Sequence, residues 1–301
     1  MSEYGDWEYY RYNAGHNQAN WYKLPEEARF SRQLISAGEQ RLLQQSTNLQ
    51  EAYVDNSKHR PVADSYWVMF DYNRGKFTNL ESSGIASIDR LPKYSYYFYQ
   101  SQRSPQVKST KFKSGPMVYI ASDWNQHSAP KVRVFTNSER VELYLNNKLV
   151  ATQVPSRQVS SKVLPHPPMT FDLAKFEPGT LTAKAYIKDR LVAEHQVSTA
   201  SKASALQLKI ASHGVTVASN DTVFVHAQLI DNKGRPVTDN DVAVQFTIGG
   251  DAYVVNPENS QGVLTTKGIA SALIRTGKNL SNISIEARVV DSSISPAKIA
   301  L

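Results

Sequence analysis

The sequence predicts an α/β segment followed by two all-β segments. Three patterns carry this expectation: helix, apolar run, helix in the first third, then short alternating stretches between Met117 and Val197, then the same alternation again after a small-residue linker. The expected boundaries are residues 1–112, 113–200 and 201–301. With 301 residues, 41% hydrophobic and 20% charged, the chain has enough apolar material for two or three packed cores.

In the first segment, Pro25–Tyr53 reads as one long helix. Pro25 suits a first turn, Glu26 and Glu27 favour the positive N-terminal end, and Ile35, Leu42 and Leu49 recur on one stripe. A polar loop over Asp55–Asp64 leads to Tyr66-Trp67-Val68-Met69-Phe70, which reads as a buried strand, and Pro92–Arg103 reads as a second helix. This order suggests parallel strands joined through helices. The segment also holds 12 of the 16 Tyr and 3 of the 4 Trp. Such rings suit either sugar stacking or a tyrosine-rich core.

The second segment shows strands over Met117–Ser122, Lys131–Thr136, Val141–Leu145, Lys148–Val154, Met169–Leu173, Leu181–Lys188 and Leu191–Val197. Asn146-Asn147 and Asp189-Arg190 supply tight turns. Seven strands in this span match an immunoglobulin-like β-sandwich. Ala200-Ser201-Lys202-Ala203-Ser204 reads as the linker to a second sandwich. Its strands are expected over Ala205–Ile210, Thr222–Ile230, Val242–Ile248, Gly262–Thr266, Ile269–Arg275 and Ile283–Val290, with a turn at Asp231-Asn232-Lys233-Gly234.

Charge and composition narrow the function. The net charge of +7 is spread thinly over all three segments with no run of four basic residues, which argues against nucleic-acid binding. No apolar run reaches the roughly 18 residues of a membrane helix, and the opening residues lack a signal-peptide layout. Zero cysteines exclude a thiolate metal site and a cysteine nucleophile. Compartment stays open, with a periplasmic or secreted whole protein compatible with the composition.

Ser2-Glu3-Tyr4-Gly5, then Tyr66-Trp67-Val68-Met69-Phe70-Asp71-Tyr72, then Gly84-Ile85 with Asp89-Arg90-Leu91-Pro92-Lys93, resemble in order and spacing the closing third of the catalytic (β/α)8 barrel of family-2 glycoside hydrolases, the β-galactosidase and β-glucuronidase group. The likeness covers most of residues 2–103. It implies a partial C-terminal barrel segment carrying strands seven and eight, followed by the two immunoglobulin-like sandwiches. The resemblance also implies that Glu3 is the nucleophile, which would form a glycosyl-enzyme intermediate. Trp67 would end strand eight as a sugar platform, and Asp6, His16, Asn17 and Asn73 would lie in the substrate-binding loops. Asp89 and Arg90 are expected to make a structural ion pair or turn contact.

Where the glucuronidase branch carries Asn-x-Lys, this chain has Glu81, Ser82 and Ser83, which favours a neutral β-galactoside oligosaccharide over a uronate. Val132-Arg133-Val134-Phe135-Thr136-Asn137 followed by Val141-Glu142-Leu143-Tyr144-Leu145-Asn146 is similar to the sandwich that follows the barrel in bacterial galactosidases. The last segment resembles bacterial immunoglobulin-like or invasin-type modules. In the family the acid/base lies on barrel strand four. The chain is therefore expected to be the C-terminal part of a larger enzyme, inactive alone; Glu8, Glu26, Glu27 and Glu39 have no pattern that recommends them as substitutes. No cofactor is indicated. Mg²⁺ or Na⁺ is used by some family members, without a ligand pattern here. A non-catalytic carbohydrate-binding or adhesive β-sandwich protein is the alternative.

Overall fold

The structure is a computed structural model describing residues 2–5, 33–58, 62–73, 80–156, 163–212, 214–256 and 261–301. It is mostly β, and it divides into two compact units, Met1–Val197 and Ser198–Leu301. The expected boundary after residue 112 lies inside the first of these.

The first unit opens with strand β1 (Ser2–Gly5). Helix α1 (Glu39–Lys58) follows, then β2 (Asp64–Trp67), which pairs with β1 in parallel. Parallel neighbours require a crossover, and α1 lies within it. Short strands β3 (Tyr72–Asn73) and β4 (Leu80–Glu81) pair next, and helix α2 (Tyr94–Ser101) follows.

Two expectations for this region are corrected. The helix that carries Leu42 and Leu49 begins at Glu39 and runs to Lys58, and the chain is not helical without interruption across residues 34–38; Pro25 and residues 26–32 lie outside the described residues. Leu34 is extended, Ile35–Ala37 forms a 3-10 turn, and Gly38 takes φ 89°, a left-handed value that breaks the helical path. Ile35, Leu42 and Leu49 are buried as expected, although Ile35 sits on the turn. The strand over Tyr66–Phe70 is not buried: β2 ends at Trp67, and Trp67 and Met69 are 44% and 45% exposed. Only one face packs against the helices. There Tyr4 and Tyr66 lie against Leu49, Ala52 and Ile85.

Tyr4, Tyr66, Tyr96 and Tyr99 serve that packing, and Tyr53, Tyr94 and Tyr97 pack in the neighbouring cluster with Leu42 and Phe98. Tyr4 and Tyr66 are 5.6 Å apart, Tyr66 and Tyr99 are 5.7 Å apart, and the Tyr99 hydroxyl donates to Tyr4 Oη at 2.9 Å. Among the described residues these tyrosines contribute to a packed core.

The rest of the first unit is two antiparallel arrangements around one apolar core. One sheet has the order β5 (Val118–Ala121), β6 (Lys131–Thr136), β9 (Met169–Asp172). The other has the order β11 (Arg190–Ser198), β10 (Thr180–Ile187), β7 (Arg140–Leu145), β8 (Lys148–Gln153). Ile120, Trp124, Val132, Val134, Val141, Leu143, Phe171 and Leu181 fill the space between them. The opposite face of β6 is covered too, since Phe135 packs with Leu42, Tyr94 and Phe98 of the helices. Arg133 Nη1 donates to Thr47 Oγ1 at 2.8 Å, and its other terminal nitrogen donates to Gln50 Oε1. At the start of α1, Glu39 Oε2 accepts from the Asp123 amide at 2.6 Å, Ser128 Oγ at 2.8 Å and Ser122 Oγ at 3.1 Å. Glu39 is thus a tie between helix and sheet.

The second unit repeats the arrangement. One sheet orders β12 (Ala203–Ile210), β13 (Thr222–Asp231), β17 (Ile269–Thr276) and β15 (Ala252–Asn256). The other orders β16 (Val263–Leu264), β14 (Ala243–Gly249), β18 (Ser284–Val289) and β19 (Ala297–Ala300). The linker reading over residues 200–204 is corrected at its end, because β12 starts at Ala203, which is buried in this unit's core.

Candidate active site

Parallel pairing sets Glu3 opposite Ser65, Tyr4 opposite Tyr66 and Gly5 opposite Trp67. The two strand ends named by sequence thus lie side by side. The Trp67 indole N–H donates to Tyr72 Oη at 3.0 Å, and the two rings meet edge to face at 5.8 Å. This leaves an exposed indole held at its polar tip. Asn73 follows on β3, exposed and opposite Leu80. Asp6, His16 and Asn17 lie outside the described residues.

Behind this surface is a polar cluster that sequence reading did not find. Immediately after Trp67 the chain runs beside residues 84–86: the Ile85 amide donates to Val68 O at 3.1 Å, Ala86 to Met69 O at 3.0 Å, and Asp71 to Ala86 O at 2.9 Å. Asp71 Oδ1 accepts from the Gly84 amide at 3.0 Å and from Lys93 Nζ at 2.7 Å, with both charged side chains fully buried. Lys93 Nζ also donates to Ser82 O at 2.8 Å. Gln45 Nε2 donates to the Ser82 and Gly84 carbonyls at 3.3 and 3.0 Å, and Ser95 Oγ donates back to Gln45 Oε1 at 2.9 Å. The Tyr66 hydroxyl donates to Ser83 O.

Burial pushes the Asp71 carboxyl up to about 6, against the opposing pull of Lys93 and the Gly84 amide. Burial likewise pushes the Lys93 ammonium down, opposed by Asp71 and Glu81. Glu81 is buried, with Oε1 accepting from Ser83 Oγ at 3.0 Å. In the sequence Asp71, Gly84 and Lys93 appear only as letters of separate motifs; Asp71 precedes Lys93 by 22 residues, so no local spacing links them.

Asp89 and Arg90 form a turn. The Asp89 amide donates to Ser87 Oγ at 3.2 Å, Arg90 Nη1 donates to Ile88 O at 2.7 Å, and the Arg90 guanidinium lies 3.9 Å over the Phe70 ring. Among the described residues, no group of three or more His, Asp or Glu converges in a metal-binding arrangement. No described helix is long and apolar enough to cross a membrane.

This strand pair and the β-rich units of the chain are similar to the C-terminal parts of family-2 glycoside hydrolases. The chain is 31% identical over 208 residues to a beta-galactosidase of Thermoanaerobacter pseudethanolicus, covering 64% of this chain and 27% of that protein. A beta-galactosidase of Bacteroides ovatus is 27% identical over 60% of this chain and 20% of its own length. A beta-glucuronidase of Formosa agariphila is 28% identical over 62% of this chain and 18% of its own length. The chain therefore spans about a quarter or less of these relatives. Residues 129–193 match a family described as a domain of unknown function, DUF4982. Its fold is shared with a family-2 beta-glucuronidase structure, TM-score 0.63 at 20% identity, over 100% of this chain and 31% of that one. A beta-glycosidase structure from Bacteroides vulgatus gives TM-score 0.64 at 18% identity, over 79% of this chain and 30% of that one.

Proposed function

We propose that this chain supplies the nucleophile-bearing, C-terminal part of a retaining β-glycosidase that acts on neutral β-galactosides. The observation that carries the reading is the parallel register of β1 and β2, which brings Glu3 and Trp67 to neighbouring strand positions. Barrel enzymes gather catalytic groups at the ends of adjacent parallel strands. On this reading residues 1–112 belong to a (β/α)8 barrel, and residues 113–200 and 201–301 are immunoglobulin-like sandwiches. Glu3 attacks the anomeric carbon to give a glycosyl-enzyme, and a second carboxyl group about 5–5.5 Å away protonates the leaving oxygen and then activates water. Trp67 offers an apolar face to the sugar ring, and Asp6, His16, Asn17 and Asn73 contribute polar contacts from the loops.

The neutral-substrate preference rests on Glu81-Ser82-Ser83, where a buried carboxylate and two serines stand in place of an amide and an ammonium. A uronate would meet like charge there. The test uses a protein of the relatives' full length, with aryl β-galactoside and aryl β-glucuronide as substrates. Galactoside turnover should exceed glucuronide turnover, a 2-fluoro galactoside should label Glu3, and Glu3→Gln should lower kcat by at least about 10³-fold. Labelling of another residue, or preferred glucuronide turnover, overturns the corresponding half of the reading.

A further inference from the structure

We propose that the buried Lys93–Asp71 pair is a positioning device. It locks the 82–86 segment against the chain leaving β2, and through Tyr72 it fixes the orientation of the exposed Trp67 indole. That Trp67 meets a sugar rests on the function proposed above; the mechanical link does not.

Lys93 stands immediately before α2 and is held there by its own amide, which donates to Ile85 O at 2.9 Å. Its ammonium reaches two chain segments at once, Asp71 Oδ1 and Ser82 O. Asp71 Oδ1 receives the Gly84 amide as well, so one carboxylate oxygen joins the segment after Trp67, the 82–86 segment and the base of α2. The contact between the backbones is close: a Cβ built on Gly84 would lie 2.1 Å from Asp71 N and 2.4 Å from Phe70 C. Nothing but glycine fits without moving one of the two chains.

Tyr72 is the next residue after Asp71. It is paired with Glu81, immediately before that segment, and its hydroxyl accepts the Trp67 indole N–H. Trp67 is thus attached to a locked segment from both sides, through the backbone before Val68 and through its indole nitrogen. An exposed indole on a free chain would sample several rotamers; one held by a hydrogen bond to a fixed tyrosine presents a single face.

The cluster is also larger than structural need alone suggests. The Lys93 ammonium pairs with the buried Asp71 carboxylate, the field of the buried Glu81 carboxylate also acts on it, and among the described residues Asp71 Oδ2 has no hydrogen-bond partner. Replacing buried ion pairs with well-packed apolar residues of similar volume is often neutral in stability. Ionic groups here give direction to the bonds that set the 82–86 segment.

The experiment uses the 301-residue chain labelled with 5-fluorotryptophan and ¹⁵N-indole, the Trp67 signal being assigned through Trp67→Phe. Trp124, fully buried in the core of the same unit, reports folding. In Lys93→Met the Trp124 signal should persist while the Trp67 signal shifts and its indole N–H exchanges at least about tenfold faster. Tyr72→Phe, which removes only the acceptor, should reproduce that exchange without lowering the thermal midpoint. An unchanged Trp67 signal in Lys93→Met with Trp124 intact overturns the proposal.

If Lys93→Met loses the Trp124 signal, the milder Asp71→Asn decides: about a threefold rise in Trp67 exchange supports the link, and no change overturns it. In the full-length protein, Lys93→Met should raise KM for the aryl galactoside about tenfold with kcat within about threefold. An unchanged KM despite a freed indole overturns the functional half. Absence of wild-type turnover would instead strike the glycosidase reading and leave the spectroscopic result standing.

Discussion

Asp71 shows how far burial can move one side chain from its behaviour in water. Its carboxyl is pushed up to about 6, first by loss of solvent and then by Glu81, while Lys93 and the Gly84 amide pull the other way. An unfolded aspartate titrates near 3.9. The folded chain therefore binds this proton more tightly than the unfolded chain. The stabilising contribution is complete below about pH 4 and is lost as pH rises through about 6, on the order of 3 kcal/mol for a shift of about two units. Urea unfolding of the first unit followed at pH 5 and pH 7 should show lower stability at pH 7 from this group, and Asp71→Asn should flatten the difference. An unaltered pH slope in Asp71→Asn would mean that the carboxyl is ionised throughout. None of this was legible in the sequence, where Asp71 and Lys93 appear as separate motif letters. What makes them a pair is the return of the chain along residues 84–86.

Among elements, the β-hairpins were the most legible because their turn chemistry is local. Asn146 and Asn147 take φ 51° and 66°, the left-handed values that asparagine tolerates, and strands β7 and β8 flank them as expected. The next hairpin turns one residue earlier than expected, at Lys188 and Asp189 with φ 48° and 58°; lysine carries no turn signal, so the pattern pointed to Asp189-Arg190. Strands β15 and β19 had no sequence prediction, one following Gly249-Gly250-Asp251 and the other only four residues long. Helix α1 was legible as a stripe but not at its start, because the break depends on the backbone at Gly38.

The best-built turn is that at Asp231. Its carboxylate accepts from the amides of Lys233, Arg235 and Ser201 at 2.9, 2.9 and 3.0 Å, and from Arg235 Nε at 2.7 Å. Burial opposes ionisation, but these donors, Arg235 foremost, more than offset it and hold the carboxyl well below the usual range. Its contribution is complete above about pH 4, declines below that, and is lost only as the pH falls through the depressed folded value, the reverse of Asp71. Asp231→Ala should cost about 2–3 kcal/mol at pH 7, and somewhat less at pH 3, where the folded carboxylate is still ionised, in chemical denaturation of the second unit. Equal losses at both pH values would show that the charge is not what the donors recognise.

For the whole molecule, the core residues fall into sets that belong to one unit or the other. Ile120, Val134, Leu143 and Phe171 pack in the first, and Leu206, Ala227, Leu229 and Val244 in the second. Cooperativity follows shared apolar burial, so a chain with separate cores should unfold in separate steps. Calorimetry of the full chain should resolve two transitions. Asp231→Ala should lower only one of them, by roughly 10–20 °C for a unit of about 100 residues. Lys93→Met leaves the buried Asp71 carboxylate without its cation, a loss of about 3–5 kcal/mol, and should lower only the other. The opposite pH trends of Asp71 and Asp231 add a further signature. Between pH 7 and pH 4 the transition lowered by Lys93→Met should move up relative to the one lowered by Asp231→Ala. A single transition that both substitutions shift together would mean that the units fold as one cooperative body.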